Sequence, residues 1–117
     1  MGKRVKEFNE FRTKMNERIL AEDNRVIKRV FSVDSLTYQE GALSKKTKEL
    51  LGLSTSMVLR CDDCVSYHIS QCIESGCSKD EIVEAMSVAL VVGGTIVIPH
   101  MRRAIAFMDE MLEEKIS

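Results

Sequence analysis

The sequence lacks three features, each of which would point to a particular class of protein: an excess of charge, a long hydrophobic run and an alternating strand pattern. Lys and Arg number 17 and Asp and Glu number 18, so the net charge is −1. A near-neutral chain carries no broad basic surface for nucleic acid. We therefore expect no nucleic-acid partner.

The longest apolar stretch, residues 85–98, is interrupted by serine, threonine and two glycines. It falls short of the ~20 residues that a membrane-spanning helix needs. Residues 1–8 alternate charged with apolar side chains and lack the uninterrupted apolar core of a secretory signal. We therefore expect a cytoplasmic protein without a membrane partner.

No segment alternates apolar and polar residues as a half-buried strand does, whereas apolar residues recur every three or four positions. This spacing predicts a first helix over residues 5–19 and further helices beginning near residues 24, 44, 61, 78 and 99. Residues 32–35 could interrupt the second helix, and Gly41 is a plausible stop for it. Gly76 is a natural left-handed stop, and Ser78 with Glu81 fits a capping box. The sequence predicts an all-α bundle of about six helices.

A chain of 117 residues fits one domain. We place this single domain over residues 1–117, with N-terminal helices at about 4–40 and a motif-bearing core at about 44–115. The fifth helix is apolar almost all round, and a domain of this size cannot easily cover it alone. We therefore expect the protein to be a homo-oligomer.

Two thiols and an imidazole fall within eight residues, at Cys61, Cys64 and His68. Residues three and four apart share a helix face, so these groups form one stripe near the start of a helix. The helix N-terminus and the imidazole favour thiolate over thiol, whereas Asp62 and Asp63 oppose another negative charge. We expect a moderately reactive pair that cycles between dithiol and disulfide.

The residues alone leave two questions open. The helix dipole favours Cys61 as the attacking thiolate, whereas the spacing of four residues offers Cys64 a general base in His68. The second question is whether the motif is catalytic, since a non-catalytic helical oligomer could bind or sense a metal through Cys61, Cys64 and His68. Outside the motif, Cys72 and Cys77 are expected to be buried or inert, although Cys77 follows a helix-ending glycine and could be exposed. We expect His100 to be structural or at an interface.

Glu49 lies twelve positions before the first cysteine of the motif and extends the pattern. Glu49, eleven residues, Cys61, two residues, Cys64, three residues and His68 resembles the signature of the alkyl hydroperoxidase D-like branch of the carboxymuconolactone decarboxylase family. The resemblance covers about residues 40–112. It implies an all-helical subunit that assembles into trimers or hexamers.

The resemblance also implies an enzyme: a thiol-dependent peroxidase or disulfide oxidoreductase. By analogy, Cys64 would attack the peroxide, Cys61 would be the resolving and more accessible cysteine, and His68 with Glu49 would form a proton relay. No bound cofactor is implied. The partners would be a small hydroperoxide or disulfide substrate and an external thiol reductant, either a lipoyl-type dithiol or a protein thiol.

Asp63 departs from the pattern, because the best-studied peroxidase members carry a histidine immediately before the second cysteine. An aspartate cannot be a cation at that position. The decarboxylases that give the family its name lack the cysteine pair. The motif therefore implies redox chemistry rather than lactone decarboxylation.

Overall fold

Six α-helices make up the chain in this computed structural model, which describes residues 2–116. They are α1 (Lys3–Leu20), α2 (Arg25–Thr37), α3 (Lys45–Val58), α4 (Asp62–Glu74), α5 (Lys79–Gly93) and α6 (Ile98–Ile116), with a 3₁₀ turn at Thr95–Val97 before α6. No strand occurs within residues 2–116. The prediction of an all-α bundle of about six helices is confirmed. Met1 and Ser117, the ends of the predicted domain, lie outside the described residues.

The core lies among α3, α4, α5 and α6, and α1 packs along α6. Val5 of α1 is fully buried, and the Phe8 ring meets the Phe107 ring edge-on with centroids 5.5 Å apart. The fully buried apolar side chains of α3 to α6 include Leu53, Met57, Ile69, Ile82, Met86 and Met108. The first helix therefore belongs to the same core as the cysteine motif.

The second helix, α2, has no buried residue. Asn24 caps it by accepting a hydrogen bond from the backbone N–H of Ile27, and the helix continues through residues 32–35 without interruption. It ends at Thr37 rather than at Gly41, and Lys48 Nζ donates to the Thr37 carbonyl at 2.9 Å, which satisfies one of the last free acceptors of the helix. Its exposed apolar side chains are Val26, Val30, Val33 and Leu36.

The fifth helix, α5, begins with the predicted capping box of Ser78 and Glu81. One face points into the core, and the other leaves apolar side chains in solvent, among them Val91 at 85% exposure. The apolar helix is thus covered on one side only within the single chain. Across residues 2–116, no helix is both long and apolar enough to span a membrane.

The end of α4 is closed by two backbone hydrogen bonds typical of a helix C-terminal motif. The N–H of Cys77 donates to the Cys72 carbonyl at 2.9 Å, and the N–H of Gly76 donates to the Ile73 carbonyl at 3.1 Å. Gly76 has φ +89°, and no atom lies within 4 Å of a β-carbon placed there. The left-handed backbone, rather than crowding, is what requires glycine.

We predict that Gly76→Ala lowers the free energy of unfolding by about 1–2 kcal/mol, because an L side chain is strained in the left-handed region. Chemical denaturation followed by circular dichroism measures this change. Gly41→Ala is the matched control, since its β-carbon would meet only the flexible Lys48 Nζ at 3.5 Å. Equal stability of the two variants would contradict the assignment of strain to Gly76.

Candidate active site

The end of α3 fixes the position of Cys61. The N–H of Cys61 donates to the Ser56 carbonyl at 3.1 Å, and the N–H of Arg60 donates to the Met57 carbonyl at 3.0 Å. Arg60 adopts the left-handed conformation that this motif requires, with φ +60°. The chain therefore turns within one residue, and Cys61 becomes the N-cap of α4.

Cys61 and Cys64 are joined by a disulfide across the first turn of α4, with their Cα atoms 5.2 Å apart. The Sγ atom of Cys61 accepts a hydrogen bond from the backbone N–H of Cys64 at 3.2 Å, where an oxygen acceptor is usual. The backbone N–H groups of the first helical turn and the positive end of the helix dipole therefore lie beside the cysteine pair. Both favour the negative charge that appears on a sulfur when the disulfide opens.

The two cysteine residues differ in exposure. Cys64 is exposed and Cys61 is partly buried. The expectation that Cys61 is the more accessible cysteine is therefore wrong for the single chain. The reason is that Cys61 is held in the turn between α3 and α4, whereas Cys64 lies on the open side of the first turn of α4.

Glu49 and His68 meet where α3 packs on α4. Their accessible fractions are 0% and 8%, and Oε1 of Glu49 lies 2.9 Å from Nδ1 of His68. The other carboxylate oxygen accepts from Lys45 Nζ at 2.9 Å. A buried carboxylate is costly unless it is paired, and these two partners satisfy it. Because an ionised carboxylate can only accept hydrogen bonds, Nδ1 of His68 carries the proton and donates, and Nε2 of His68 presents a lone pair.

Gly52 allows the close approach of His68 to α3. A β-carbon at Gly52 would lie 2.6 Å from Cε1, 2.8 Å from Nδ1 and 2.9 Å from Nε2 of the imidazole. Real side chains do not make such short contacts, so any other residue would push the ring away. Gly52 lies three positions after Glu49, on the same face of α3. The acid and the space for its partner therefore come from one helix.

Tyr38, the residue that caps the end of α2, lies on the other side of the imidazole. Its hydroxyl is 3.4 Å from Nε2 of His68, and the ring centroids are 5.3 Å apart. Burial, followed by the nearby Glu49 carboxylate, raises the pKa of Tyr38, so the hydroxyl stays protonated and donates to Nε2. Sequence reasoning missed this contact, because no local spacing connects residues 30 positions apart.

A cavity of about 660 Å³ opens between α1, α4 and α6, and both Cys64 and His68 line it. One wall is apolar and consists of Phe8, Phe11, Met15 and Phe107. Arg12 lies 4.1 Å above the centroid of the Tyr67 ring at the same cavity. A small or partly apolar molecule entering here would reach the exposed sulfur.

His100 contacts the cysteine motif, although the sequence suggested only a structural or interface residue. Its Nδ1 lies 2.7 Å from Oδ1 of Asp62, and an Arg103 terminal nitrogen lies 3.7 Å from the other carboxylate oxygen. Asp62 is the first residue of α4 and directly follows Cys61. Two residues of α6 thus hold the first turn of the motif helix.

Cys72 and Cys77 are free and both are buried, so the exposure considered for Cys77 is not found. Burial raises the pKa of both thiols. Among residues 2–116, no group of three or more His, Cys, Asp or Glu side chains is arranged to hold a metal ion. In this oxidised form the disulfide also occupies both sulfurs of the suggested set of Cys61, Cys64 and His68.

Comparison with known proteins relates this site to one family. The model of the carboxymuconolactone decarboxylase family matches residues 25–107, which include all four predicted site residues. A Thermotoga maritima crystal structure is 51% identical, with a TM-score of 0.91 over 94% of this chain and 96% of that one. A second structure of that protein is 50% identical, with a TM-score of 0.89 over 93% of this chain and 92% of that one. That protein is described as a member of this family with a suggested part in the antioxidative response.

Two more distant proteins extend the comparison. A family member from Legionella pneumophila, solved in its apo form, is 20% identical and shares the fold, with a TM-score of 0.85 over 93% of this chain and 97% of that one. Uncharacterized protein 4 of the cox locus of Paracoccus denitrificans is 28% identical over 80 residues, which are 68% of this chain and 72% of that protein. Neither description gives a reaction.

We predict that Gly52→Ala separates His68 from Glu49. Alanine favours a helix interior by about 0.5–1 kcal/mol over glycine, so a loss of stability would report the overlap with the imidazole. We expect a net loss of about 1–3 kcal/mol, typical of overpacking, and a shifted His68 ring signal in NMR spectra. A variant at least as stable as the parent, with an unchanged His68 signal, would show that the glycine is not required.

We predict that iodoacetamide at pH 8 labels Cys64 of the reduced, folded protein well before Cys72 and Cys77. The raised pKa of the two buried thiols keeps them protonated at this pH, and burial excludes the reagent. Peptide mapping by mass spectrometry gives the rate for each site. All four cysteines should react in the denatured control, and fast labelling of Cys72 in the folded protein would refute the prediction.

Proposed function

The chain belongs to the carboxymuconolactone decarboxylase family, and from this premise we propose that it is a thiol-dependent peroxidase or disulfide oxidoreductase. The observation that carries the proposal is the Cys61–Cys64 disulfide at the start of the helix that also holds His68 against Glu49. The antioxidative role suggested for the Thermotoga maritima relative supports the same chemistry. In this proposal, the cysteine pair, His68 as the base and the cavity that Cys64 and His68 line all take part in one thiol–disulfide reaction.

In the reduced enzyme, Cys64 is the attacking residue. It is exposed, and it lines the cavity together with His68. His68 takes the thiol proton on Nε2 once the Tyr38 hydroxyl yields that position, and Glu49 stabilises the imidazolium. The thiolate attacks the outer peroxide oxygen, the O–O bond breaks, and the leaving alkoxide takes a proton to become an alcohol. The product on the protein is a Cys64 sulfenic acid.

Cys61 then resolves the sulfenic acid. Its sulfur attacks the Cys64 sulfur, the S–O bond breaks, and one water leaves, which gives the disulfide seen in the structure. An external dithiol, of the lipoyl type or on a protein, reduces this disulfide by two exchange steps and becomes oxidised itself. The cycle needs no bound cofactor. It belongs in the cytoplasm, where thiol reductants keep such pairs reduced.

The working form in this proposal is a homo-oligomer, a trimer or a hexamer. The supporting observation is that two apolar surfaces stay in solvent in the single chain: one on α2, and one on α5 at Val88, Val91 and Val92. Exposed apolar surfaces of this kind are typical of subunit interfaces. A second copy of the chain would cover them.

We predict that one equivalent of cumene hydroperoxide converts the reduced protein to the Cys61–Cys64 disulfide, and that dihydrolipoamide reverses it. Intact mass and peptide mapping follow both steps on the same sample. The two cysteines are adjacent in the fold and Cys64 is exposed, so this bond should form before any at Cys72 or Cys77. Slow, indiscriminate oxidation of all four thiols would reject the proposal.

Single substitutions assign the two cysteines. Cys61→Ser should accumulate a Cys64 sulfenic acid that dimedone traps, whereas Cys64→Ser should lose peroxide turnover by more than about a hundredfold, as expected for loss of a nucleophile. Cys77→Ser is the matched control and should keep turnover. Trapping at Cys61 in the Cys64→Ser variant would reverse the assignment of roles.

A further inference from the structure

We propose that His100 is a positioning residue for the cysteine pair: together with Arg103 it holds the Asp62 carboxylate and so weakens the opposition of that carboxylate to a thiolate at Cys64. This inference rests on the proposed thiol–disulfide function. It explains how a motif with an acidic residue directly after its first cysteine can still provide a reactive thiol.

Asp62 and Cys64 share the first turn of α4, and both line the same cavity. A carboxylate this close to a thiol disfavours the second negative charge and therefore raises the thiol pKa. The helix dipole has the opposite effect, because it favours the thiolate and lowers the thiol pKa. The sequence alone does not show which of the two effects is larger. What decides the balance is whether the carboxylate is free or paired.

In the structure the carboxylate is paired through both oxygens. His100 Nδ1 lies 2.7 Å from Oδ1, within hydrogen-bond distance, and the Arg103 guanidinium lies 3.7 Å from Oδ2. The donated N–H and the permanent positive charge both oppose the field of the carboxylate at the sulfurs. The side chains of His100 and Asp62 are 20% and 42% exposed, so solvent screens their hydrogen bond in part.

Other charged groups also act on Cys64, and they stay constant in the comparison below. The charged and titratable side chains that line its cavity, apart from those of the proposed pairing, are Arg4, Glu7, Arg12, Asp34, Asp63, Tyr67 and His68. From α3, Glu49 and Lys45 pair behind His68. Only a comparison that varies Asp62 together with His100 therefore isolates the proposed effect.

The test measures the pH dependence of iodoacetamide alkylation at Cys64 in the reduced full chain, resolved by peptide mass spectrometry. His100→Ala should slow alkylation at pH 7 by about threefold, which corresponds to an upward shift of the Cys64 pKa by about half a unit. His100→Asn should restore the rate, because its amide N–H can replace the Nδ1 donor. Asp62→Asn should speed the reaction.

The decisive comparison is the double variant Asp62→Asn/His100→Ala. If His100 acts through the carboxylate, the double variant should alkylate as fast as Asp62→Asn alone. A merely structural role would slow the reaction by the same factor whether or not Asp62 is charged, and that result would overturn the proposal. An unchanged Cys64 pKa in folded His100→Ala would overturn it as well.

A second pair of variants covers the case in which His100→Ala does not fold. Arg103 is 58% exposed, so Arg103→Gln should fold and should also raise the Cys64 pKa. Arg102→Gln removes the same charge from the neighbouring exposed position and should leave the pKa unchanged. Equal effects of the two substitutions would show a general charge effect and would contradict the specific pairing.

Alkylation involves no peroxide and no physiological reductant, so the outcome separates this inference from the proposed function. If Cys64 fails to form a disulfide with hydroperoxide while the dependence on Asp62 and His100 holds, the proposed function fails and the positioning role stands. If the protein turns over peroxide but the alkylation rate of Cys64 does not depend on Asp62 and His100, the proposed function stands and the positioning role fails.

Discussion

The structure depends on one buried hydrogen bond, between His68 and Glu49, at the contact between α3 and α4. A carboxylate with no accessible surface is tolerated only because the imidazole and Lys45 satisfy both of its oxygens. This requirement sets how closely the two helices approach and which side of His68 presents a lone pair. Gly52 makes that approach sterically possible.

The cysteine pair obeys different constraints from His68, the buried residue on the same helix. Cys61 and Cys64 lie at the N-terminal end of α4. There the turn at Arg60 sets the position of Cys61, the helix dipole favours negative charge, and Cys64 is exposed to solvent. His68 lies one turn further along, where the helix is already covered. One helix thus joins an accessible disulfide to a buried imidazole, and the cavity is lined by both Cys64 and His68.

Local spacing made much of this predictable. The positions of Glu49, Cys61, Cys64 and His68 relative to one another carry the family resemblance, and the family is confirmed. The helix stop at Gly76 and the capping box at Ser78 were also predictable, because each depends only on the backbone conformation and hydrogen bonds of a few adjacent residues.

The remaining features depend on tertiary packing and left no local signal. Tyr38 and His100 come from helices far from the motif in sequence, and each becomes relevant only after those helices have packed. Arg60 takes the left-handed position that glycine would ordinarily mark. The relative exposure of the cysteines was misjudged because it depends on this turn, which no glycine marks, and not on the spacing.

Tyr38 links the chemistry to the least buried part of the fold. It lies at the end of α2, a helix with no buried residue and an exposed apolar stripe, yet its hydroxyl lies at the one nitrogen of His68 that is left to act as a base. The Tyr38 side chain is half-buried against the imidazole, so its hydroxyl connects a helix with no buried residue to the Glu49–His68 contact of the core. The hydrogen bonds of the buried carboxylate therefore extend through His68 beyond α3 and α4, to a part of the chain that the apolar core does not include.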